Sequence, residues 1–237
     1  MKKDIFSNYD KMKDSMAEVF LQHDQERMIR KFSLEHDEKY LYIWFLGRNY
    51  RINRATGEIN GSDDGFATEI KAGYNEVMTI YDVLCCAKDG HLSNQWVNIS
   101  SLSGIQNGTL ESNGNIFQNV GKAFDGRTRA LASACEVLQG EKQERGDVAY
   151  KLWLFPFLPI ILRFWESDEE FPASVQILVD QNTLDYMHYE TLMFAVSHMF
   201  ERIKQNMEAF DRHRADSICN ESIPKESETS TERKARP

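Results

Sequence analysis

Three consecutive carboxylates, Asp168, Glu169 and Glu170, form the densest group of chemically useful side chains in the sequence. They stand between Trp165 and the Phe171-Pro172 pair. Neighbouring carboxylates supply the hard oxygen ligands that Mg²⁺ and Ca²⁺ prefer, and two of them can also share a proton or attract a cationic group. The simpler alternative is a turn that leaves its charges in solvent while Phe171-Pro172 folds back as a hydrophobic plug.

We assign this stretch to binding rather than to catalysis. The candidate ligand-binding residues are Arg163, Trp165, Asp168, Glu169 and Glu170, and no residue is assigned a catalytic or metal-binding role. A partner-docking role predicts an exposed apolar patch beside the carboxylates. An enzyme that uses the carboxylates, with or without a divalent metal, instead requires at least two of them to converge in a cleft near Arg163 or a histidine. A hairpin of residues 160–165 and 175–179 would place Asp180 at the opposite end of the strands.

The other residues that could do chemistry do not form a known motif. The four cysteines include no CxxC pair. Cys85-Cys86 falls in an apolar helical pattern, which favours buried thiols, with redox or thiol–metal chemistry as the alternative. His188 and His198 lie ten residues apart on one predicted helix, about 15 Å along its axis, which is too far to share a metal ion. No glycine spacing matches a phosphate-binding loop, and no serine stands in a nucleophile motif.

Composition limits the classes of partner. The 237 residues carry a net charge of −9, which disfavours non-specific binding to nucleic acid. No apolar run is long enough to span a membrane, and no apolar signal core follows the N-terminal lysines, so we expect a cytoplasmic protein. The expected partner is a small molecule, a cofactor or a partner enzyme. The sequence specifies neither the cofactor nor the oligomeric state.

Hydrophobic periodicity predicts an α+β fold in which a mainly antiparallel sheet packs against several helices. The predicted helices cover about 8–22, a short segment after Asp24, 66–87, 116–138 with a break near Asp125-Gly126, and 183–207. The predicted strands cover 40–46, 49–53, 57–59, 95–100, 148–154, 160–165 and 175–179, with loops at 60–65 and 101–115. Short connections between the last three strands favour antiparallel neighbours. We expect a single domain over 1–210 and a disordered polar tail over 211–237.

The tryptophans are expected to contribute to this core. Trp44, Trp96, Trp153 and Trp165 are predicted to pack together. The alternative is that they wall an apolar pocket for a planar ligand.

Three stretches resemble one known family. They are FLGRNYRIN (45–53), QWVNISSLSG (95–104) and, with the highest specificity, residues 147–192. In the third stretch, the family pattern is matched by Asp147, Phe155-Pro156, Pro159, Trp165, Asp168, Glu170-Phe171-Pro172, Asp180 and Glu190. Over roughly residues 24–205 the chain resembles the family called domain of unknown function 3786.

The resemblance implies a metabolic setting but no reaction. Members of the family occur mainly in anaerobic bacteria and archaea, and some resemble parts of corrinoid or iron–sulfur methyl-transfer systems. Some relatives carry an added cysteine-rich segment for a cluster, which this chain lacks. We expect a non-catalytic accessory or binding protein, because the sequence shows no convergent set of nucleophile, base and electrophile. The resemblance adds the setting of anaerobic one-carbon or corrinoid metabolism and does not imply a cluster in this chain.

Overall fold

The computed structural model describes residues 2–102, 117 and 119–221, with side-chain detail from residue 8 to residue 214 within those ranges. The helices are α1 (Lys2–Gln22), α2 (Gln25–Phe32), α3 (Tyr74–Cys86), α4 (Thr128–Val137) and α5 (Tyr189–Glu221), and residues 119–124 are helical as well. The strands are β1 (Glu35–His36), β2 (Tyr40–Phe45), β3 (Arg48–Asn53), β4 (Ile59–Ser62), β5 (Ile70–Lys71), β6 (Trp96–Asn98), β7 (Glu141–Lys142), β8 (Val148–Phe155), β9 (Leu158–Trp165) and β10 (Ser174–Asp180). Short 3₁₀ turns cover Ile99–Ser101 and Thr183–Asp185. The predicted α+β class is confirmed.

The first sheet is a five-stranded antiparallel meander in the order β1-β2-β3-β4-β5. Along β2, half-buried Tyr40, Tyr42 and Trp44 alternate with buried residues, as expected for a strand with one face on the core. Gly57 has a φ of +77° in the turn from β3 to β4, a conformation that glycine adopts without steric cost. The residues around the predicted strands 49–53 and 57–59 thus form a hairpin, in which Ile52 pairs with Ile59.

The second sheet has the order β6-β10-β9-β8-β7, and every neighbouring pair is antiparallel. This confirms the antiparallel arrangement that the short connections predict. In the β9–β10 hairpin, Trp165 pairs with Ser174 and Ile160 pairs with Val179. Asp180, the last residue of β10, therefore lies about 20 Å from the β9–β10 turn, at about 3.3 Å per residue. The predicted separation of Asp180 from the three carboxylates is confirmed.

The two sheets share one apolar core, which joins the N-terminal and C-terminal halves of the chain. Phe45 of β2 stacks on Phe155 of β8 with ring centroids 4.8 Å apart. The backbone N–H of Leu46 donates to the carbonyl of Leu154 at 3.0 Å. Because a close-packed core resists deformation, the ends of its strands are held in fixed positions.

Several element boundaries differ from the prediction. The predicted helix 66–87 begins only at Tyr74, because Ile70–Lys71 extends the first sheet as β5. Residues 60–62 of the predicted loop belong to β4, where pairing with β3 overrides the polar local sequence. α5 continues to Glu221, past the predicted end at 207, so the first residues of the predicted tail 211–237 are helical.

Some predicted segments fall outside the described residues. They are 103–115 of the predicted loop 101–115 and 222–237 of the predicted tail. Within the described ranges, every helix is too short or too polar to span a bilayer.

The predicted tryptophan core is wrong. Trp44 and Trp153 are half-buried, and Trp96 and Trp165 are exposed. The sheet register explains the difference, because Trp153 and Trp165 lie on the outer face of the second sheet while their chain neighbours face the core.

Candidate functional site

The candidate site lies where β9 turns into β10, in a segment that we call the acidic turn (residues 165–172). Trp165, the last residue of β9, has 36% of its surface exposed, and Phe171 has 66% exposed. Asp168, Glu169 and Glu170 are exposed between them. Phe171 therefore does not fold back as a hydrophobic plug. The turn presents two aromatic rings and a group of carboxylates to solvent together.

Two aspartates outside the acidic turn hold its first half in place. Asp147 Oδ2 accepts a hydrogen bond from the backbone N–H of Glu166 at 2.7 Å. Asp125 accepts from the backbone N–H and from the hydroxyl of Ser167, at 3.0 and 2.7 Å. These bonds lower the pKa of Asp125, because they favour its charged form. The entry to the turn is thus anchored on two sides.

Asp168 stabilises the acidic turn through hydrogen bonds to the backbone of the turn itself. Its Oδ1 accepts from the backbone N–H of Glu170 at 2.9 Å and of Phe171 at 2.7 Å. The bond from Phe171, followed by the bond from Glu170, lowers the pKa of Asp168. The side chains of Glu169 and Glu170 make no hydrogen bond or ion pair with the described residues. Their two charges are therefore available to a partner, while Asp168 maintains the shape of the turn.

The structure does not gather the five candidate residues into one cluster. Arg163 donates from Nη1 to Gln176 Oε1 at 3.3 Å on the face of the second sheet. Among the described side chains, no ion pair joins Arg163 to Asp168, Glu169 or Glu170. Within those same ranges the three carboxylates also do not form a group of metal-ligand atoms. Two exposed aromatic residues, Trp165 and Phe171, flank the three carboxylates, and among the described side chains these carboxylates do not converge.

A second group of chemically useful residues, Asp82, Cys86 and His188, was not found in the sequence analysis. Asp82 and Cys86 lie on α3, and His188 immediately precedes α5. One ligand atom from each of the three residues lies within 4.8 Å of the others. Asp82 is buried, whereas Cys86 and His188 are exposed. The available signal was the four-residue spacing of Asp82 and Cys86, which places them on one helix face, but nothing in the sequence brings His188 to that face.

The observed burial of the neighbouring cysteines Cys85 and Cys86 differs from the prediction. Cys85 is half-buried and Cys86 is exposed, so the prediction of two core thiols is wrong for Cys86. Partial burial, followed by a hydrogen bond to Asp82, raises the pKa of Cys86 to about 11. A thiol with so high a pKa is protonated at neutral pH, which argues against Cys86 as a catalytic nucleophile.

A buried polar network joins the first sheet to α3 and α5. Glu76 of α3 accepts a hydrogen bond from the Tyr50 hydroxyl and lies 3.5 Å from Arg48 and 3.7 Å from Nε2 of His198. Burial, followed by the charge of Glu76, raises the pKa of Tyr50, so its hydroxyl remains a donor. Arg48 also forms two hydrogen bonds with Asp63, which the sequence placed in a solvated loop. We assign this network to stability.

Four cavities bordered by described residues have volumes of about 230, 350, 110 and 300 Å³. None of the four is lined by a residue of the acidic turn, of the Asp82 group or of the buried network. Sites for drug-sized ligands are concave and enclose most of the ligand surface. The acidic turn borders none of these four cavities.

Comparison with known proteins identifies a family. Residues 24–202 match the family described as "Domain of unknown function (DUF3786)", and no curated protein and no solved structure matches the chain. The match includes both the acidic turn and the Asp82 group. Because it spans most of the 237 residues, the resemblance seen in the sequence is confirmed: the chain belongs to the DUF3786 family of domains of unknown function.

Proposed function

We propose that the chain is a non-catalytic accessory protein that docks a partner protein on the acidic turn. The observation that carries this proposal is the exposure of Phe171, which is 66% exposed. Phe171 lies beside three carboxylates, on a segment that hydrogen bonds hold in place. Large exposed aromatic residues at fixed positions are typical anchors of protein–protein contacts, since their rings bury much area for little loss of conformational entropy.

The charge of the turn indicates the chemistry of the partner. The side chains of Glu169 and Glu170 make no hydrogen bond or ion pair with the described residues, and the chain as a whole carries a net charge of −9. A basic surface with an apolar recess for Phe171 complements this arrangement. Charges at the rim of such an interface mainly raise the association rate and make it sensitive to salt.

The family resemblance supports the search for this partner among the enzymes of anaerobic one-carbon or corrinoid metabolism. We place the complex in the cytoplasm, away from membrane and nucleic acid, in accord with the acidic composition. The alternative, an enzyme that uses the carboxylates of residues 168–170, has less support because these side chains are exposed and do not converge.

Site-specific photocrosslinking tests the docking surface directly. A photoreactive amino acid replaces Phe171 in one variant and Val137 in the control, and each protein is irradiated in an oxygen-free lysate of its host. Val137 suits the control because it is 62% exposed and ends α4. Val137 lies about 14 Å from the start of α4, at 1.5 Å per residue. The start of the helix is the end near the acidic turn, because Gly126, two residues before Thr128, donates to Glu166.

The crosslinked protein is then purified and its affinity is measured with unmodified variants. We expect Phe171→Ser to weaken binding by about 2 kcal/mol, or roughly 30-fold, while Val137→Ser has little effect. Glu169→Gln combined with Glu170→Gln should slow association and reduce its dependence on salt. The proposal is refuted if position 171 captures nothing that position 137 does not, or if Phe171→Ser binds the captured protein as tightly as the wild type.

A further inference from the structure

The Asp82 group combines three different donor atoms at one surface position. Asp82 supplies a carboxylate oxygen, Cys86 a thiol sulfur and His188 an imidazole nitrogen. Two of the donors come from one face of α3 and the third from the residue before α5, 106 residues from Asp82. A group assembled from distant parts of the chain is a property of the folded protein, which is what a binding site requires.

Contacts on both sides fix the relative positions of these residues. Asp82 Oδ2 accepts from the backbone N–H of His188 at 2.8 Å, and Asp82 Oδ1 lies 2.7 Å from Nδ1 of His188. Just beyond α3, the backbone N–H of Lys88 donates to the carbonyl of Asp185 at 2.7 Å. These hydrogen bonds hold the end of α3 against the start of α5.

The distances suit a small tetrahedral cation. Zinc binds sulfur at about 2.3 Å and nitrogen or oxygen at about 2.0–2.2 Å, so its ligand atoms lie roughly 3–4 Å from one another. All three donor atoms lie within 4.8 Å of one another. Coordination requires the exposed side chains of Cys86 and His188 to rotate, and the contact between Asp82 Oδ1 and Nδ1 of His188 to open from 2.7 Å.

We propose that Asp82, Cys86 and His188 bind one divalent cation of the zinc class. The mixture of sulfur, nitrogen and oxygen donors selects Zn²⁺ or Co²⁺ over Mg²⁺ and Ca²⁺, which prefer oxygen ligands alone. The thiol of Cys86 gives up its proton to solvent when the metal–sulfur bond forms.

The described part of the chain supplies three ligands to this site. Closed structural zinc sites usually have four protein ligands, whereas sites with three keep a fourth position for water or another ligand. His188 has 71% of its side chain exposed, so the fourth position of the cation faces solvent. The structure thus points to a metal site with one exchangeable position, separate from the acidic turn and independent of the proposed docking.

Titration of the metal-free, full-length protein with Co²⁺ under anaerobic conditions tests the site, because a cobalt–thiolate bond has its own charge-transfer absorption. All proteins carry Cys219→Ser, and Cys135 is fully buried, so Cys85 and Cys86 are the thiols under comparison. We expect one equivalent of Co²⁺ per chain, a thiolate absorption band, and loss of that band when Zn²⁺ is added.

Matched variants assign the ligands. Cys86→Ser should abolish the thiolate band, and His188→Ala should weaken Co²⁺ binding by at least about tenfold. The neighbouring Cys85→Ser and the exposed His91→Ala serve as controls and should bind as the wild type does. Circular dichroism confirms that each variant is folded. Absence of binding to the wild type, or a band that survives Cys86→Ser, would overturn the proposal.

Discussion

Asp82 and His188 are joined by two contacts, although 106 residues separate them in the sequence. One carboxylate oxygen accepts from the backbone N–H of His188, the residue immediately before α5, and the other lies 2.7 Å from the imidazole Nδ1. A carboxylate that accepts from the first N–H groups of a helix does the work of an N-cap from a remote position. Asp82 thus positions the start of α5 as well as one candidate metal ligand.

Replacement of Asp82 should therefore cost more stability than replacement of His188. We expect Asp82→Ala to lower the free energy of unfolding by about 1–2 kcal/mol, because it leaves the N–H of His188 without its acceptor. His188→Ala keeps that backbone bond and should cost about 0.5 kcal/mol or less. Urea denaturation of the metal-free variants measures both values, and equal losses would contradict this account of the contact.

Glu76 is the centre of the buried network and should be its most sensitive residue. Its side chain is 11% exposed, and its removal leaves Arg48 and the Tyr50 hydroxyl without their shared acceptor. We expect Glu76→Ala to lower the free energy of unfolding by about 3 kcal/mol.

The pair of Arg51 and Glu69 provides a control, because Glu69 is 41% exposed. Glu69→Ala should cost less than about 1 kcal/mol. Chemical denaturation of the two variants under the same conditions gives the comparison. A loss for Glu76→Ala no larger than that for Glu69→Ala would show that the network contributes little.

Much of the architecture could be predicted because its signals are local. The alternation in β2 and the short connections around β9 specify strands and their antiparallel pairing without reference to distant residues. β5 and the late start of α3 could not be predicted in this way, since Ile70–Lys71 becomes a strand only by pairing with β4.

The same difference between local and long-range signals applies to the two candidate sites. The acidic turn is contiguous in sequence, so its location could be inferred, but the exposure of Phe171 depends on how Asp125, Asp147 and Asp168 hold the backbone. The group around Asp82 depends on a contact across 106 residues, which no spacing rule describes.

Asp180 should make stability depend on pH in the acid range. Burial would raise its pKa, but hydrogen bonds from the backbone of Asn182 and from Ser93 outweigh burial and lower the pKa below the ordinary value of 3.8. A carboxylate with a lowered pKa stabilises the folded state above its unfolded pKa, and the contribution disappears as the pH falls through the folded pKa.

We therefore expect Asp180→Asn to be less stable than the wild type at pH 7 and to approach it as the pH falls below about 4. Urea denaturation at a series of pH values gives the difference directly. Glu169→Gln, whose side chain bonds to none of the described residues, is the control and should match the wild type at pH 7. A difference between Asp180→Asn and the wild type that stays constant down to pH 2 would contradict the assignment.

Asp168 should maintain the acidic turn through its hydrogen bonds and not through its charge. Its Oδ1 accepts from the backbone N–H groups of Glu170 and Phe171, a role that an asparagine side chain can also perform. We expect Asp168→Ala to speed the hydrogen exchange of these two amides severalfold, while Asp168→Asn keeps them protected. Exchange measured by NMR on the free protein, with the buried amides of β9 as an internal reference, separates the two variants. Equal exchange rates in both would mean that Asp125 and Asp147 alone hold the turn, and Phe171 would then keep its exposed position without Asp168.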